Sequence, residues 1–373
     1  MKKSELIEHF TKNYVDPLHQ EAIISLEDIL ENQYEELKEG LVAAYNQLFE
    51  KIKQVQSHEK KEIKYIYLHL LRTGIETKSC LITAYDKRWY ADPNPIEISY
   101  NVSWLWQPFI DYVEKLHQEK KRYVMRINHM DVQRAEVKKW DSYLPYITFL
   151  LKSAIEDITN LPSYDFEKSN IFALYVGEYR DHSDMVWIED RTFKDPEAIK
   201  ELLRQRTQQK LCYIHLSDLD LSSGEYPGND IMNSRFERIN LKKTRLDVSL
   251  LMKSIFKDCD LSYVSLIASG IWFSDFSGSN LKKANLQYVN HYICIELPIE
   301  KMTKKYFPKT KFIGCNLEEA DLSYGDFTAA DFTDANMLGC KFEGTILTGA
   351  KIDKSQTDHL ELTEEQREVI TWV

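Results

Sequence analysis

Large apolar residues recur at every fifth position through the second half of this chain. From Leu216 they continue through Leu221, Tyr226, Ile231, Phe236, Leu241, Leu246, Leu251, Phe256, Leu261, Leu266, Ile271, Phe276, Leu281 and Leu286, fifteen in succession. A second run of nine starts at Phe312 and passes through Leu317, Leu322, Phe327, Phe332, Met337, Phe342, Leu347 and Ile352. The position two residues earlier is mostly small, as at Ser234, Thr244, Ser254, Ala284, Cys315, Ala330 and Ala350, and Asp or Asn often stands between. A period of five fits neither the 3.6-residue helix nor the alternating strand. It fits a chain that turns every five residues and sends one large and one small side chain inward at each side, so the pattern predicts a solenoid.

The motif small–Asp/Asn–Leu/Phe–x–x, running over roughly residues 214–353, resembles that of the pentapeptide-repeat family. The resemblance implies a right-handed quadrilateral parallel β-helix with four pentapeptides per coil. The recurrence of Phe236, Phe256 and Phe276 at steps of twenty agrees, placing these rings in one stack, with Phe312 and Phe332 as further core positions. The 24 repeats make about six coils, or a rod roughly 29 Å tall at the ~4.8 Å spacing of stacked strands. The next Phe position after Phe276 would be residue 296, yet Phe312 takes that role, so sixteen residues are inserted. Residues 287–311 have two prolines and no pentad rhythm, and read as an inserted loop. Loops on rigid scaffolds are frequent binding elements. The tail 354–373 is expected to cap the last coil, or to pair with a second copy as the resemblance implies, because an open coil edge invites other strands.

Residues 1–210 carry no pentad and predict a mainly α-helical domain with a small hairpin. Ser25 with Asp28 reads as a helix cap before the apolar stripe Leu26, Leu30, Tyr34, Leu37, Leu41, Tyr45, Leu48, Ile52 and Val55, one helix of roughly thirty residues. Ile63, Ile66, Tyr67, Leu70 and Leu71, stopped by Gly74, suggest a second helix. Residues 91–101 read as a loop with a short strand, 103–120 and 131–159 as helices, and 172–179 with 185–189 as a hairpin. Asp195-Pro196-Glu197 opens a helix to about residue 208, where the solenoid domain 211–353 follows.

Charge changes the picture along the solenoid. The net charge of −11 argues against a general nucleic-acid binder, which needs a positive surface. From Ile231 to Leu286 nine basic residues oppose five acidic ones, residues 287–311 add three net positive charges, and residues 316–353 carry eight acids against two lysines. The best-known proteins of the resembling family imitate DNA and bind gyrase, which implies a uniformly acidic rod. The bipolar distribution here weighs against that partner. The loop instead combines Tyr292, Tyr306 and Phe307 with Lys301, Lys304 and Lys305, and with Arg235 and Lys242 of the solenoid suits an acidic protein or peptide.

Candidate chemistry is sparse. His182-Ser183-Asp184, with Glu189 nearby, has the spacing of an iron-oxygenase ligand pair, but Arg180 to Asp184 also reads as an ordinary polar turn. Asp131 after His129 reads as a helix cap. Cys80, Cys212, Cys259, Cys294, Cys315 and Cys340 form no CxxC pair and read as reduced thiols, the repeat cysteines as core filling. Trp104, Trp106 and Trp140 read as core or interface aromatics, with a ligand groove as the other reading. No phosphate loop or GxSxG elbow occurs. The expectation is a non-enzymatic adaptor without metal or cofactor, cytoplasmic and bacterial, since no apolar run nears the ~20 residues of a membrane span and MKKSELIEHF lacks a signal-peptide core. A topoisomerase-binding DNA mimic and an N-terminal metalloenzyme carried on a solenoid are the alternatives.

Overall fold

The computed structural model describes residues 2–124, 126–206, 211–290 and 309–373, which form two compact units, one ending at Trp187 and the other beginning at Ile188. The first unit opens with α1 (Lys3–Phe10), α2 (Asp16–Asn32) and α3 (Tyr34–Gln56). Then come β1 (Ile63–Leu70), the single turn α4 (Gly74–Thr77), β2 (Ser79–Tyr85) and β3 (Ile96–Asn101). Helices α5 (Ser103–Glu119), α6 (His129–Trp140) and α7 (Leu144–Thr159) precede β4 (Lys168–Glu178) and β5 (Ser183–Asp190). The strands make one sheet in the order β3-β2-β1-β4-β5, with β1 antiparallel to β2 and parallel to β4.

Several expectations for this unit are corrected. The thirty-residue helix is two helices, because Gln33 leaves the helical region (φ −123°, ψ 17°) and divides α2 from α3. Ser25 lies inside α2, which instead begins at Asp16 with Pro17 in its first turn, where a missing N–H costs nothing. The helix expected over 63–71 is β1, the centre of the sheet. Ile66, Leu68 and Leu70 alternate with Tyr65, Tyr67 and His69, and from Ile66 to Leu70 every residue is buried. A strand buried on both faces reads as a continuous apolar run, and periodicity alone does not separate it from a helix. Other expectations hold: the hairpin is β4–β5 and the 103–120 helix is α5. The cap expected at Asp131 is instead Asn128, with Asp131 inside α6 as its capping-box partner.

The second unit is built on a twenty-residue register. Strands β6 (His215–Ser217), β7 (Arg235–Glu237) and β8 (Ile255–Lys257) pair in parallel, Phe236 opposite Leu216 and Phe256 opposite Phe236. Single bridges repeat that step elsewhere, as in Asp220 to Asn240, Glu225 to Arg245 and Asp230 to Leu250. Across the insertion the partners are Asp275 and Lys311, 36 positions apart and so sixteen more than twenty, as the shifted phase implies. Phe236, Phe256, Phe276, Phe312 and Phe332 stack with neighbouring centroids 4.8–5.2 Å apart and planes within 5–7°. All five are buried in a core that runs from Leu203 to Ile370.

Both ends of that core are covered. Helix α8 (Pro196–Gln205) buries Leu203 in it, and Asn229 Nδ2 donates to the Leu203 carbonyl at 2.9 Å. Helix α8 thus falls in the compact unit that begins at Ile188. At the other end α9 (Glu364–Val369) leads into β10 (Thr371–Trp372), which pairs in parallel with β9 (Lys351–Ile352). Gln366 Nε2 donates to the carbonyls of Phe342 and Thr345 at 2.8 and 3.0 Å, and Leu360 and Ile370 join the core. The tail therefore seats on the last coil of its own chain.

Truncating Phe256 to Ala is expected to lower stability by about 3–5 kcal/mol, the range for a buried phenylalanine. Urea unfolding followed by far-UV dichroism measures it, and a loss under about 1 kcal/mol contradicts the stacked column.

Candidate functional site

What the solenoid presents outward follows from how each pentad satisfies its backbone. The Asp or Asn before the large residue accepts from the N–H two positions on, as Asn240 Oδ1 does from Lys242 at 3.1 Å and Asp321 Oδ1 from Ser323 at 3.1 Å. This Asx turn explains the residue type. Two positions beyond the large residue the backbone is left-handed, with φ between +51° and +74°, at Arg238, Lys243, Val248, Lys253, Tyr263 and Gly278 among others. L-residues adopt this region at a cost of about 1–2 kcal/mol each. Here each N–H is anchored on the next coil, Lys243 on the Ser262 carbonyl and Val248 on the Ile267 carbonyl, both at 2.9 Å. The turns therefore hold Lys243, Val248, Lys253 and Tyr263 exposed at fixed places.

The small inward position does more than fill space. Ser254, Ser269, Ser274 and Ser279 donate their hydroxyls to the carbonyls of Ile231, Leu246, Leu251 and Phe256 at 2.7–2.9 Å. Ser269 Oγ also accepts from the Ser249 N–H at 3.1 Å, and Ser279 Oγ from the Cys259 N–H at 3.0 Å. Cys315 and Cys340 make the same contact through sulfur, each 2.9 Å from a carbonyl. Burial pushes the thiols of Cys259, Cys315 and Cys340 up to about 12, so they stay protonated core groups.

Much of the basic block is spent on the solenoid's own carboxylates. Arg235 is 8% exposed and hydrogen-bonds Glu237, which removes it from the expected partner-binding surface. Arg238 pairs with Asp218 at 2.7 Å, Arg245 with Asp247 at 2.6 Å, Lys282 with Glu318 at 2.8 Å, and Lys283 with Glu319 at 3.1 Å. Most of these partners lie one coil away, a relation that a running charge count does not see. Lys242, Lys243, Lys253 and Lys257 are exposed and have no carboxylate partner among the described residues. Lys242, Lys243, Tyr263, Lys282 and Lys283 belong to one ladder, in which positions forty apart are two coils, or about 10 Å, from each other. Tyr292, Lys301, Lys304, Lys305, Tyr306 and Phe307, like Cys294, lie outside the described residues.

A buried ion cluster sits at the first coils. His215 Nδ1 accepts from the Asp190 N–H at 2.9 Å, which places the ring proton on Nε2, 3.4 Å from Glu237 Oε2. Burial alone would raise the Glu237 carboxyl. The nearby His215 ring and the Arg235 charge outweigh burial and hold it down at about 2.

The remaining candidates fall to ordinary structure. His182 is exposed in the β4–β5 turn, with Nε2 3.4 Å from Asp184 Oδ1. Among the described residues no three His, Cys, Asp or Glu side chains are arranged to hold a metal ion, and no helix is long and apolar enough to cross a membrane. Trp106 stacks on Trp140 at 4.5 Å, and both are core with Trp104.

Residues 310–349 match the family model for pentapeptide repeats, in eight copies, so the C-terminal part of the chain carries pentapeptide repeats; the N-terminal part matches no family. No curated protein matches the chain. Among solved structures, a trypsin-treated form of QnrB1, a plasmid-mediated fluoroquinolone resistance protein, is similar at 14% identity and a TM-score of 0.23, over 44% of this chain and 89% of that one. HetL, a pentapeptide-repeat protein involved in heterocyst differentiation regulation in the cyanobacterium Nostoc, gives 16%, 0.18, 43% and 97% for the same quantities. A pentapeptide-repeat protein of the Arabidopsis thaliana thylakoid lumen gives 20%, 0.15, 43% and 79%.

The Glu237 carboxyl is depressed in the folded protein, so the stability it contributes is complete above its ordinary value of 4.5 and is lost as pH falls toward 2. Glu237→Gln is expected to flatten the acid limb of stability, removing a dependence on the order of 3 kcal/mol between those limits. Denaturant midpoints measured from pH 6 to 2.5 test it, and parallel acid limbs for the two proteins count against the cluster.

Proposed function

We propose that the protein is a non-enzymatic scaffold whose solenoid presents a rigid surface to an acidic protein or peptide. One observation carries this reading: the exposed Lys242 and Lys243 lack a carboxylate partner among the described residues and share a ladder with the exposed Tyr263. Their backbones are pinned to the next coil, so a partner meets charges whose spacing is already fixed and loses little entropy in ordering them. The loop residues Tyr292, Lys301, Lys304, Lys305, Tyr306 and Phe307 remain part of the proposal as further partner-binding candidates. The coil is read as right-handed and four-sided with about six turns, which the twenty-residue register and the 24 repeats support. A cytoplasmic, bacterial setting belongs to the same reading, as does service as an accessory subunit of a peptide-modifying or resistance system. Gyrase is disfavoured as partner, because the lysine-rich coils break the acidic surface a DNA mimic needs. Homodimerisation through the C-terminus would use the outer edge of β10, since its inner edge is taken by β9.

The test is fluorescence anisotropy with a labelled peptide of alternating Glu and Phe against the full chain. Saturable binding is expected, weakened roughly tenfold by the pair Lys242→Glu and Lys243→Glu, the scale of two exposed charge reversals. Equal affinity in that variant moves recognition off this ladder. A gyrase supercoiling assay is expected to show no inhibition at stoichiometric protein, and potent inhibition there would put the DNA-mimic reading first.

A further inference from the structure

The helical side of the N-terminal sheet is ordinary core, but its other face is a layer of aromatic rings. Tyr65, Tyr67 and His69 of β1 point to this side, with Tyr85 of β2 opposite Tyr65 and Tyr175 of β4 opposite Tyr67. Tyr67 stacks on Tyr175 at 4.6 Å and 8° and on His69 at 5.0 Å and 13°. From Tyr65 of this layer a row runs through Trp89, Tyr90 and Tyr179, with successive centroids 6.4, 4.6 and 5.4 Å apart. Trp89 is 45% exposed and Tyr179 39%, while Tyr65 and Tyr90 are half-buried.

Two further observations separate this row from incidental surface aromatics. Trp89 has φ +57°, a genuine outlier for a bulky residue, and strain of this kind collects at functional sites. The turn that imposes it is pinned by a buried ion pair, Lys61 to Asp92 at 2.8 Å, and by the Asp86 and Asn94 N–H groups donating to Asp92. Beneath the row, His69 is fully buried and meets the Tyr85 hydroxyl at 3.1 Å through Nε2, while its Nδ1 has no partner among the described residues. Burial lowers the ring to about 4, so it is neutral and offers an unused polar atom inside an aromatic site. Such an orphan is costly unless something else meets it.

The charge around the row selects the ligand. Asp86 is tied to Arg88 at 2.5 Å, Glu178 to Arg72 at 2.6 Å, and Asp181 accepts from the His182 N–H at 2.8 Å. Lys64 lies 5.2 Å from the Tyr65 ring, and Arg180 5.6 and 5.3 Å from the rings of Tyr90 and Tyr179; neither has a carboxylate partner among the described residues. A cationic ligand would face these charges, and a proline-rich peptide has no use for them. Rings that stack on flat bases, flanked by cations for the phosphates, are the features of a single-strand site. We propose that the row Tyr65, Trp89, Tyr90 and Tyr179, with Lys64 and Arg180, binds single-stranded nucleic acid. The acidic total of the chain does not oppose this, because the local field governs a local contact.

The experiment is fluorescence anisotropy of an end-labelled oligothymidylate of about twelve nucleotides with the full chain, at roughly 50 and 200 mM salt. Saturable binding is expected, tighter at low salt and weaker for a duplex of equal length. Trp89→Ala should weaken it at least about tenfold, in the range for loss of one stacked base. The pair Lys64→Ala and Arg180→Ala should weaken it and flatten the salt dependence. Thermal transitions check folding, and if Trp89→Ala does not fold, the Lys64 and Arg180 pair decides. No binding at the lower salt overturns the proposal. So does binding that ignores the variants, or capture by this row of a proline-rich peptide but not the oligonucleotide.

Discussion

Everything in the second unit depends on hydrogen bonds between a residue and the coil twenty positions away. A pentad by itself closes only a short turn and leaves its large side chain uncovered. It becomes stable when its neighbours accept its N–H groups, a buried hydroxyl or thiol holds its carbonyl, and its large side chain stacks on the next. Solenoids draw their stability from such neighbour terms. The left-handed turns are a direct consequence: they are unfavourable singly and persist because the adjoining coil fixes both flanks. The ends would be the weak points, and α8 and β10 cover them from within the same chain.

The Phe column and the sixteen-residue phase shift were legible in the sequence, because both depend only on spacing. So was α5, which rests on local signals. The sheet was not. In β1, Ile63, Ile66, Tyr67 and Leu70 fall at helical spacing, so a strand buried on both faces imitates a helical stripe. The serine ladder was hidden because Ser254 and Ser269 count as small whether or not their hydroxyls have work to do. The left-handed positions were hidden too, since Lys243, Val248 and Tyr263 carry none of the glycine signal that marks Gly278 and Gly339.

The candidate surfaces show the same limit more sharply. A tally of charge along the chain gave Arg235 and Lys242 equal standing, yet the fold buries the first against Glu237 and leaves the second in solvent. Which charge remains available depends on burial and on partners that lie as often one coil away as along the strand. The aromatic face of the first unit was illegible for a related reason: Tyr65, Trp89 and Tyr179 meet only after β1, β2 and β4 have come together. Trp104, Trp106 and Trp140, the more conspicuous aromatics in the sequence, turned out to be core.

The bridge from Asp275 to Lys311 spans sixteen residues more than the Ile255–Asp275 and Lys311–Asp331 bridges on either side of it in the stack, yet Phe276 and Phe312 stack at 5.2 Å, close to the 4.9 Å of the preceding pair. The stack does not record how much chain intervenes between two coils, only that the second resumes in phase. Such an architecture separates two things that most folds entangle, the stability of the frame and the length of what is hung on it. Segments can be lengthened, exchanged or acquired at a turn without renegotiating the core. The solenoid is thus a frame on which new surface can evolve cheaply, with the register as the only condition to be kept.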